Sequence, residues 1–182
     1  EDAERVLRSV LEGGAALGAK YLTFHGPMQL KKLPFTPDPA RVAARMSAVM
    51  DICRVYGITP AYENVHYTYG ATPAYLAGLC RLLPDLRITL DVKQARQAGV
   101  SELDFIRAVG DRIVTVHLCD VLPSNVPALP GRGVVDFSAL FAALSARRIS
   151  APCLLEVYPG DYKTLDELEA CFHALKRLAN ST

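Results

Sequence analysis

Five short apolar runs of strand character, at residues 21–25, 58–63, 87–91, 113–117 and 153–157, alternate with segments of helical periodicity. Runs this short and this continuously apolar read as strands buried on both faces, the signature of a parallel sheet covered by helices. The intervening segments carry helix punctuation. Asp38-Pro39 opens a pattern of Val42, Met46, Val49, Met50 and Cys53 that stops at Gly57. Thr72-Pro73 leads into Leu76, Leu79, Cys80 and Leu83, and Ser101-x-x-Asp104 starts a helix reaching Val109-Gly110. Asp136 precedes Phe137, Leu140, Phe141 and Leu144, and Thr164-x-x-Glu167 is a capping box ahead of Leu168, Cys171, Leu175 and Leu178. A first helix with Val6, Val10 and Leu17 ends at Gly18.

One helix followed by five βα units, with no Asn-Gly hairpin signal between alternating runs, specifies an α/β protein. Two closures fit: a doubly wound open sheet and a (β/α)8 barrel. Periodicity does not separate them. Neither G-x-G-x-x-G nor G-x-x-x-x-G-K-[ST] follows the first run, which removes the usual nucleotide-binding reason for an open sheet.

Each run ends in, or just before, a residue able to bind a metal or move a proton: His25, Glu63, Asp91, His117 and Glu156. In a parallel sheet all carboxyl ends lie on one face, so these five converge on one site. A carboxylate leaving an apolar strand costs several kcal/mol of desolvation unless it is paired or metal-bound, so the ring points to a cation. Mixed imidazole and carboxylate donors suit Mn²⁺, Co²⁺, Mg²⁺ or Zn²⁺ and disfavour a structural thiolate zinc site. Asn64, His66, Tyr67 and Tyr69 follow Glu63, Lys93 and Gln94 follow Asp91, and Asp120 follows His117, all placed to meet a small polar ligand. Pro130-Gly131-Arg132-Gly133 reads either as a cradle for phosphate or hydroxyls or as a plain turn. Tyr158 and Tyr162 are placed to close over a sugar.

Composition narrows the partners. With Lys+Arg 20 against Asp+Glu 19 and a net charge of +1, the chain lacks the basic excess of a nucleic-acid-binding surface. No apolar run approaches the roughly 20 residues of a membrane span, and the amino end resembles neither a signal nor a transit peptide, so the expected location is the cytoplasm. The five cysteines sit in apolar segments without a C-x-x-C pair and read as reduced core residues; Cys119, beside His117, is among them.

Six motifs, in order and spacing, resemble the xylose isomerase-like TIM-barrel superfamily of sugar phosphate isomerases and epimerases. They are Tyr-Leu-Thr-Phe-His-Gly (21–26), Tyr-Glu-Asn-Val (62–65), Leu-Asp-Val-Lys-Gln-Ala (90–95), Val-His-Leu-Cys-Asp (116–120), Pro-Gly-Arg-Gly-Val-Val-Asp-Phe (130–137) and Leu-Glu-Val-Tyr (155–158). The resemblance implies a (β/α)8 TIM barrel of which this chain holds the last five βα units in one domain. It implies one divalent metal, Mn²⁺ foremost, on Glu63, Asp91, His117 and Glu156, with the two glutamates doubling as the acid/base pair. The implied reaction removes a proton α to a polarised carbonyl, through an enediolate, in a sugar, sugar phosphate or cyclitol. Return of the proton from the opposite face epimerises, and a shift between adjacent carbons isomerises.

His25, Asn64, His66, Lys93, Gln94, Asp120 and Arg132 make up the expected substrate contacts. Family members commonly carry His three residues after the Asp, where this chain has Gln94. The endonuclease IV branch needs that His and a further Asp-x-His after the sixth motif. Neither is present, and nucleic acid is not an expected partner. Two alternatives remain in view: a keto-cyclitol dehydratase working from the same residues, and a non-catalytic binding module or fragment whose open sheet edges favour association with a second copy. A complete barrel takes about 250 residues, against 182 here.

Overall fold

The computed structural model describes residues 2–29 and 38–181. Strands β1 (Tyr21–His25), β2 (Thr59–Glu63), β3 (Arg87–Asp91), β4 (Ile113–Leu118) and β7 (Cys153–Leu155) form one sheet. All neighbours are parallel, and the spatial order is β1-β2-β3-β4-β7. Helices α1 (Asp2–Ala16), α2 (Pro39–Val55), α3 (Pro73–Leu82), α4 (Val92–Gln97), α5 (Glu102–Val109), α6 (Phe137–Ala146) and α7 (Leu165–Asn180) precede or connect the strands. Because strands adjacent in the chain are adjacent in space, the sheet has no switch point where the order reverses. That resolves the two closures in favour of a barrel wall.

Interior layering agrees. Thr23 on β1 and Thr89 on β3, alternate strands, share a hydrogen bond of 2.9 Å between their hydroxyls, as expected where alternate strands fill one layer of a barrel. The outer face of the sheet carries the main core. Leu76 and Leu79 of α3, Phe105 and Ile106 of α5, and Leu140 of α6 meet Ile88, Leu90 and Val116 of the strands, all essentially buried. Each such side chain stabilises the fold by roughly 1.5–3 kcal/mol relative to exposure.

The caps form as the sequence implies. Asp38 accepts from Ala40 N, Thr72 from Tyr75 N, Ser101 from Leu103 N and Asp136 from Ala139 N. At α7, Thr164 accepts from Glu167 N while Glu167 Oε2 accepts from Lys163 N, closing the box one residue early.

Four expectations are corrected. Burial on both faces holds for β2, β3 and the second half of β4 but not for β1 or β7, the two strands with a neighbour on one side only among the described residues. Cys153, on β7, is accordingly exposed while the other four cysteines are buried. In α1 the inward residue is Leu11, packed with Cys53 and Ile58, whereas Val6, Val10 and Leu17 are exposed. A small antiparallel pair does exist, β5 (Asp120–Val121) with β6 (Pro127–Ala128). Its turn holds Asn125 at φ 67°, a left-handed position that Asn tolerates, and carries no Asn-Gly signature. Among the described residues no helix is long and apolar enough to cross a membrane.

Two glycines fix the loops above the sheet. A Cβ at Gly26 or Gly70 would run into the ring of Tyr62, which is fully buried. The loop after β1 therefore lies directly on the loop after β2, tied by a bridge between Met28 and Thr68.

Candidate metal centre

Register carries the strand-end residues to one edge. His25 pairs with Glu63, and Asp91 with His117, as direct neighbours across adjacent strands. Glu156 follows the last residue of β7 and is anchored by its backbone N–H to Leu118 O at 3.0 Å. One ligand atom from each of Glu63, Asp91, His117 and Glu156 lies within 4.8 Å of the others.

Each member is held by a different device. Asp91 caps α4, its Oδ1 accepting from Gln94 N at 2.8 Å, which turns Oδ2 to the centre. Asn64 braces it, donating to Asp91 O at 2.9 Å and accepting from Asp91 N at 2.6 Å. Glu63 Oε1 lies 3.1 Å from His117 Nδ1 and its Oε2 2.9 Å from His25 Nε2. Glu156 Oε2 lies 2.7 Å from His117 Nδ1, and its Oε1 accepts from the Tyr158 hydroxyl at 3.3 Å.

Three carboxylates in one buried space perturb one another. Burial pushes the Asp91 carboxyl up to about 8, against the lowering effect of the Gln94 N–H and of Lys93. Burial alone would lower His117, but contact with Glu156 and Glu63 outweighs it and raises the imidazole to about 9. The same His117 contact holds Glu156 down at about 2. His117 Nδ1 is thus shared between Glu63 Oε1 at 3.1 Å and Glu156 Oε2 at 2.7 Å. Glu156 Oε2, in ionic contact with that ring, and Asp91 Oδ2 are buried oxygens outside any well-aligned hydrogen bond. Buried carboxylate oxygens in excess of the donors around them, beside an imidazole, suit a divalent cation, and the residues fit one. Thiolate ligation is absent from this centre: the buried Cys119 thiol faces the carbonyls of Asp120 and Ala128 and is raised to about 12 by burial.

Of the expected substrate contacts, the structure brings His25, Lys93, Gln94 and His66 to the rim. His25 touches Glu63 and, through Nδ1, the Tyr67 hydroxyl at 3.4 Å. Gln94 Oε1 accepts from both the backbone N–H and Nδ1 of His66, which orients the imidazole through Nδ1. Lys93 Nζ stands 3.9 Å from both Asp91 Oδ2 and Glu156 Oε1 and 4.9 Å above the Tyr158 ring.

Three expected contacts serve the scaffold instead. Asn64 has both ends of its amide on the Asp91 backbone. Asp120, fully buried, accepts from Val121, Gly131, Gly133 and Val135 N–H groups. Those N–H groups of the 130–135 loop are aimed at a carboxylate of the chain itself, which corrects the anion-cradle reading in favour of a turn. Arg132 reaches Glu167 at 3.0 Å on the surface. Tyr162 packs against the core, while Tyr158 alone of that pair reaches the centre. Tyr67 was legible only as one of several aromatics after Glu63; its pairing with His25 bridges two loops and has no spacing signature.

A barrel wall of parallel strands bearing a Glu, Asp, His, Glu quartet at its carboxyl edge defines an α/β barrel protein with a candidate metal centre. The chain belongs to the xylose isomerase-like TIM barrel family, whose profile matches residues 1–177. It is 31% identical over 83 residues to an uncharacterized protein of Mycobacterium leprae, a stretch covering 44% of this chain and 30% of that protein. The IOLI protein with a binding zinc atom superposes with a TM-score of 0.78 at 18% identity, over 97% of this chain and 69% of that one. D-allulose 3-epimerase from Methylomonas sp. in complex with D-allulose gives a TM-score of 0.68 at 22% identity, over 82% and 54%. At these identities the likeness is one of fold.

Proposed function

We propose that the chain carries the metal centre of a carbohydrate isomerase or epimerase that removes a proton α to a carbonyl. The observation that carries the reading is the convergence of Glu63, Asp91, His117 and Glu156, three of them buried, with an oxygen of Asp91 and one of Glu156 that no well-aligned hydrogen bond satisfies. The similarity in fold to a zinc-bound protein and to a ketose epimerase supports it. Glu63, Asp91, His117 and Glu156 would hold one divalent ion, with Mn²⁺ the first to test and Co²⁺, Mg²⁺ and Zn²⁺ next. When bound, such an ion supplies Lewis-acid polarisation of a carbonyl oxygen and its neighbouring hydroxyl.

The remaining work falls to side chains. In the strand order Glu63 and Glu156 stand on either side of Asp91 and His117, so one carboxylate takes the proton and the other returns it. His25 on Glu63 Oε2 and Tyr158 on Glu156 Oε1 orient the two acid/base groups. Gln94, clamped by His66, presents its amide N–H groups to sugar hydroxyls.

The test is metal content by mass spectrometry together with deuterium incorporation from D₂O into ketoses, D-allulose included, followed by NMR. Retention of one divalent ion and exchange at one carbon are expected, with Glu63→Gln and Glu156→Gln lowering the exchange rate by about 10²–10⁴. Absence of both retained metal and exchange overturns the reading. Product identification separates epimerisation from dehydration.

A further inference from the structure

The ammonium of Lys93 stands at ion-pair distance from two carboxylates of the centre without hydrogen-bonding either. Its side chain is 5% exposed, yet Nζ is 3.9 Å from Asp91 Oδ2 and from Glu156 Oε1, beyond hydrogen-bond distance of either. The Tyr158 ring closes one side of it at 4.9 Å. The residue lies in the first turn of α4, behind the Asp91 cap, so its stem is fixed to the same element as a metal ligand. An ammonium on a buried stem that makes no hydrogen bond to the chain keeps its N–H groups available to an acceptor that enters the site.

We propose that Lys93 is a catalytic residue, donating a hydrogen bond to the substrate oxygen on which negative charge builds as the α-proton leaves. The proposal rests on the isomerase or epimerase reading above and adds a second, permanent cation to it. Counting Glu63, Asp91 and Glu156 as anions and His117 as neutral, a divalent ion plus Lys93 brings the centre to charge balance. Substrates with an α-hydroxy-ketone unit then place two adjacent oxygens between two cations, the arrangement that favours the anionic form of that unit.

Lys93 and a divalent ion share two carboxylate neighbours, so they repel each other across a short gap. Replacing Lys93 by Met therefore tightens Mn²⁺ binding, by about tenfold, while removing the donor. Two calorimetric titrations on the purified chain and on Lys93→Met test this: Mn²⁺ alone, then glycolate on the Mn²⁺-loaded protein, with glycolate standing in for the two adjacent oxygens. The expected result is tighter Mn²⁺ in the variant and glycolate weakened by about tenfold or more. Lys93→Arg, which keeps the charge, recovers part of the glycolate affinity. Weaker Mn²⁺ binding in Lys93→Met overturns the proposal, because Lys93 would then be a brace for the carboxylates. Unchanged glycolate affinity, or no glycolate binding by the unmodified chain, overturns it as well. Failure of every ketose to exchange deuterium counts against the proposed function and leaves the glycolate comparison readable on its own.

Discussion

Asn64 hydrogen-bonds the backbone of Asp91 at both ends of its amide, donating to the carbonyl at 2.9 Å and accepting from the N–H at 2.6 Å. It does so from the residue after Glu63, so one side chain extends the pairing of β2 with β3 beyond the last strand residue and holds two carboxylates of the quartet in register. Asn64→Ala strips partners from a buried donor and a buried acceptor, each worth about 1–3 kcal/mol when left unsatisfied. The expected result is a loss of about 2–5 kcal/mol in urea unfolding and weaker Mn²⁺ binding. Asn64→Asp keeps the acceptor but sets a second oxygen against the Asp91 carbonyl beside two carboxyl groups, and is expected to cost at least as much as Asn64→Ala.

Metal uptake at the proposed centre is expected to displace protons. Without metal, Asp91 and His117 have values raised to about 8 and about 9, so both hold a proton at pH 7. A divalent ion competes with both, and its affinity rises with pH until about 9. Calorimetry in buffers of different ionisation enthalpy should read nearly two protons released per ion at pH 7, falling to below one above pH 9. In the metal-free protein the sign for stability is opposite. The raised values favour the fold fully below the ordinary ones, 3.8 for Asp91 and 6.5 for His117, and those contributions are lost as pH rises towards about 8 and about 9. Metal-free and Mn²⁺-loaded melting curves should therefore diverge progressively from about pH 4 to about pH 9.

Asp120 organises the loop that precedes α6. Its Oδ1 accepts from Val121 and Val135 and its Oδ2 from Gly131 and Gly133. Asp120→Asn turns an NH₂ group towards two backbone N–H donors, and about 3 kcal/mol of stability or more is expected to go. Gly133→Ala does comparable harm for a steric reason, since its Cβ would meet Val121 O and the Asp120 carboxylate. Arg132→Ala, by contrast, removes an exposed pair with Glu167 and costs under about 1 kcal/mol. A phosphate titration that weakens on Arg132→Ala would restore the cradle reading.

The contrast between these residues and the quartet marks what a sequence can disclose here. Glu63, Asp91, His117 and Glu156 were legible because an apolar strand ending in a ligand-type residue is an energetic oddity, and it recurs at βα spacing. Asn64, Asp120 and Arg132 stood beside them and invited the same reading. Their roles depend on which backbone groups the loops leave unpaired, and that is decided only when the chain is folded. Helix α4 was hidden for a related reason. Six residues starting directly from Asp91 give too short a period to register, although its Val92 and Ala95 are fully buried. The exposure of β1 and β7 was likewise invisible, because an edge strand and a central strand share the same apolar pattern.

An ion pair between half-buried Arg96 and buried Glu102 joins helix α4 to α5. Arg96 Nη2 donates to Glu102 Oε1 at 2.7 Å, and Nε lies 2.6 Å from Oε2, with Glu102 only 1% exposed. The pair fastens α4, which carries Lys93 and Gln94, to the start of α5. Breaking one side strands a charge: Glu102→Ala or Arg96→Met is expected to cost about 3–5 kcal/mol. Replacing both partners by apolar residues, as in Arg96→Met with Glu102→Leu, removes the desolvation cost of both and should recover most of that stability. Glycolate binding separates stability from positioning. If the pair sets the placement of Lys93, the double variant regains its melting temperature while glycolate on the Mn²⁺-loaded protein stays weak. If both recover together, the pair is a stability element and α4 is placed by the Asp91 cap and the burial of Val92 and Ala95.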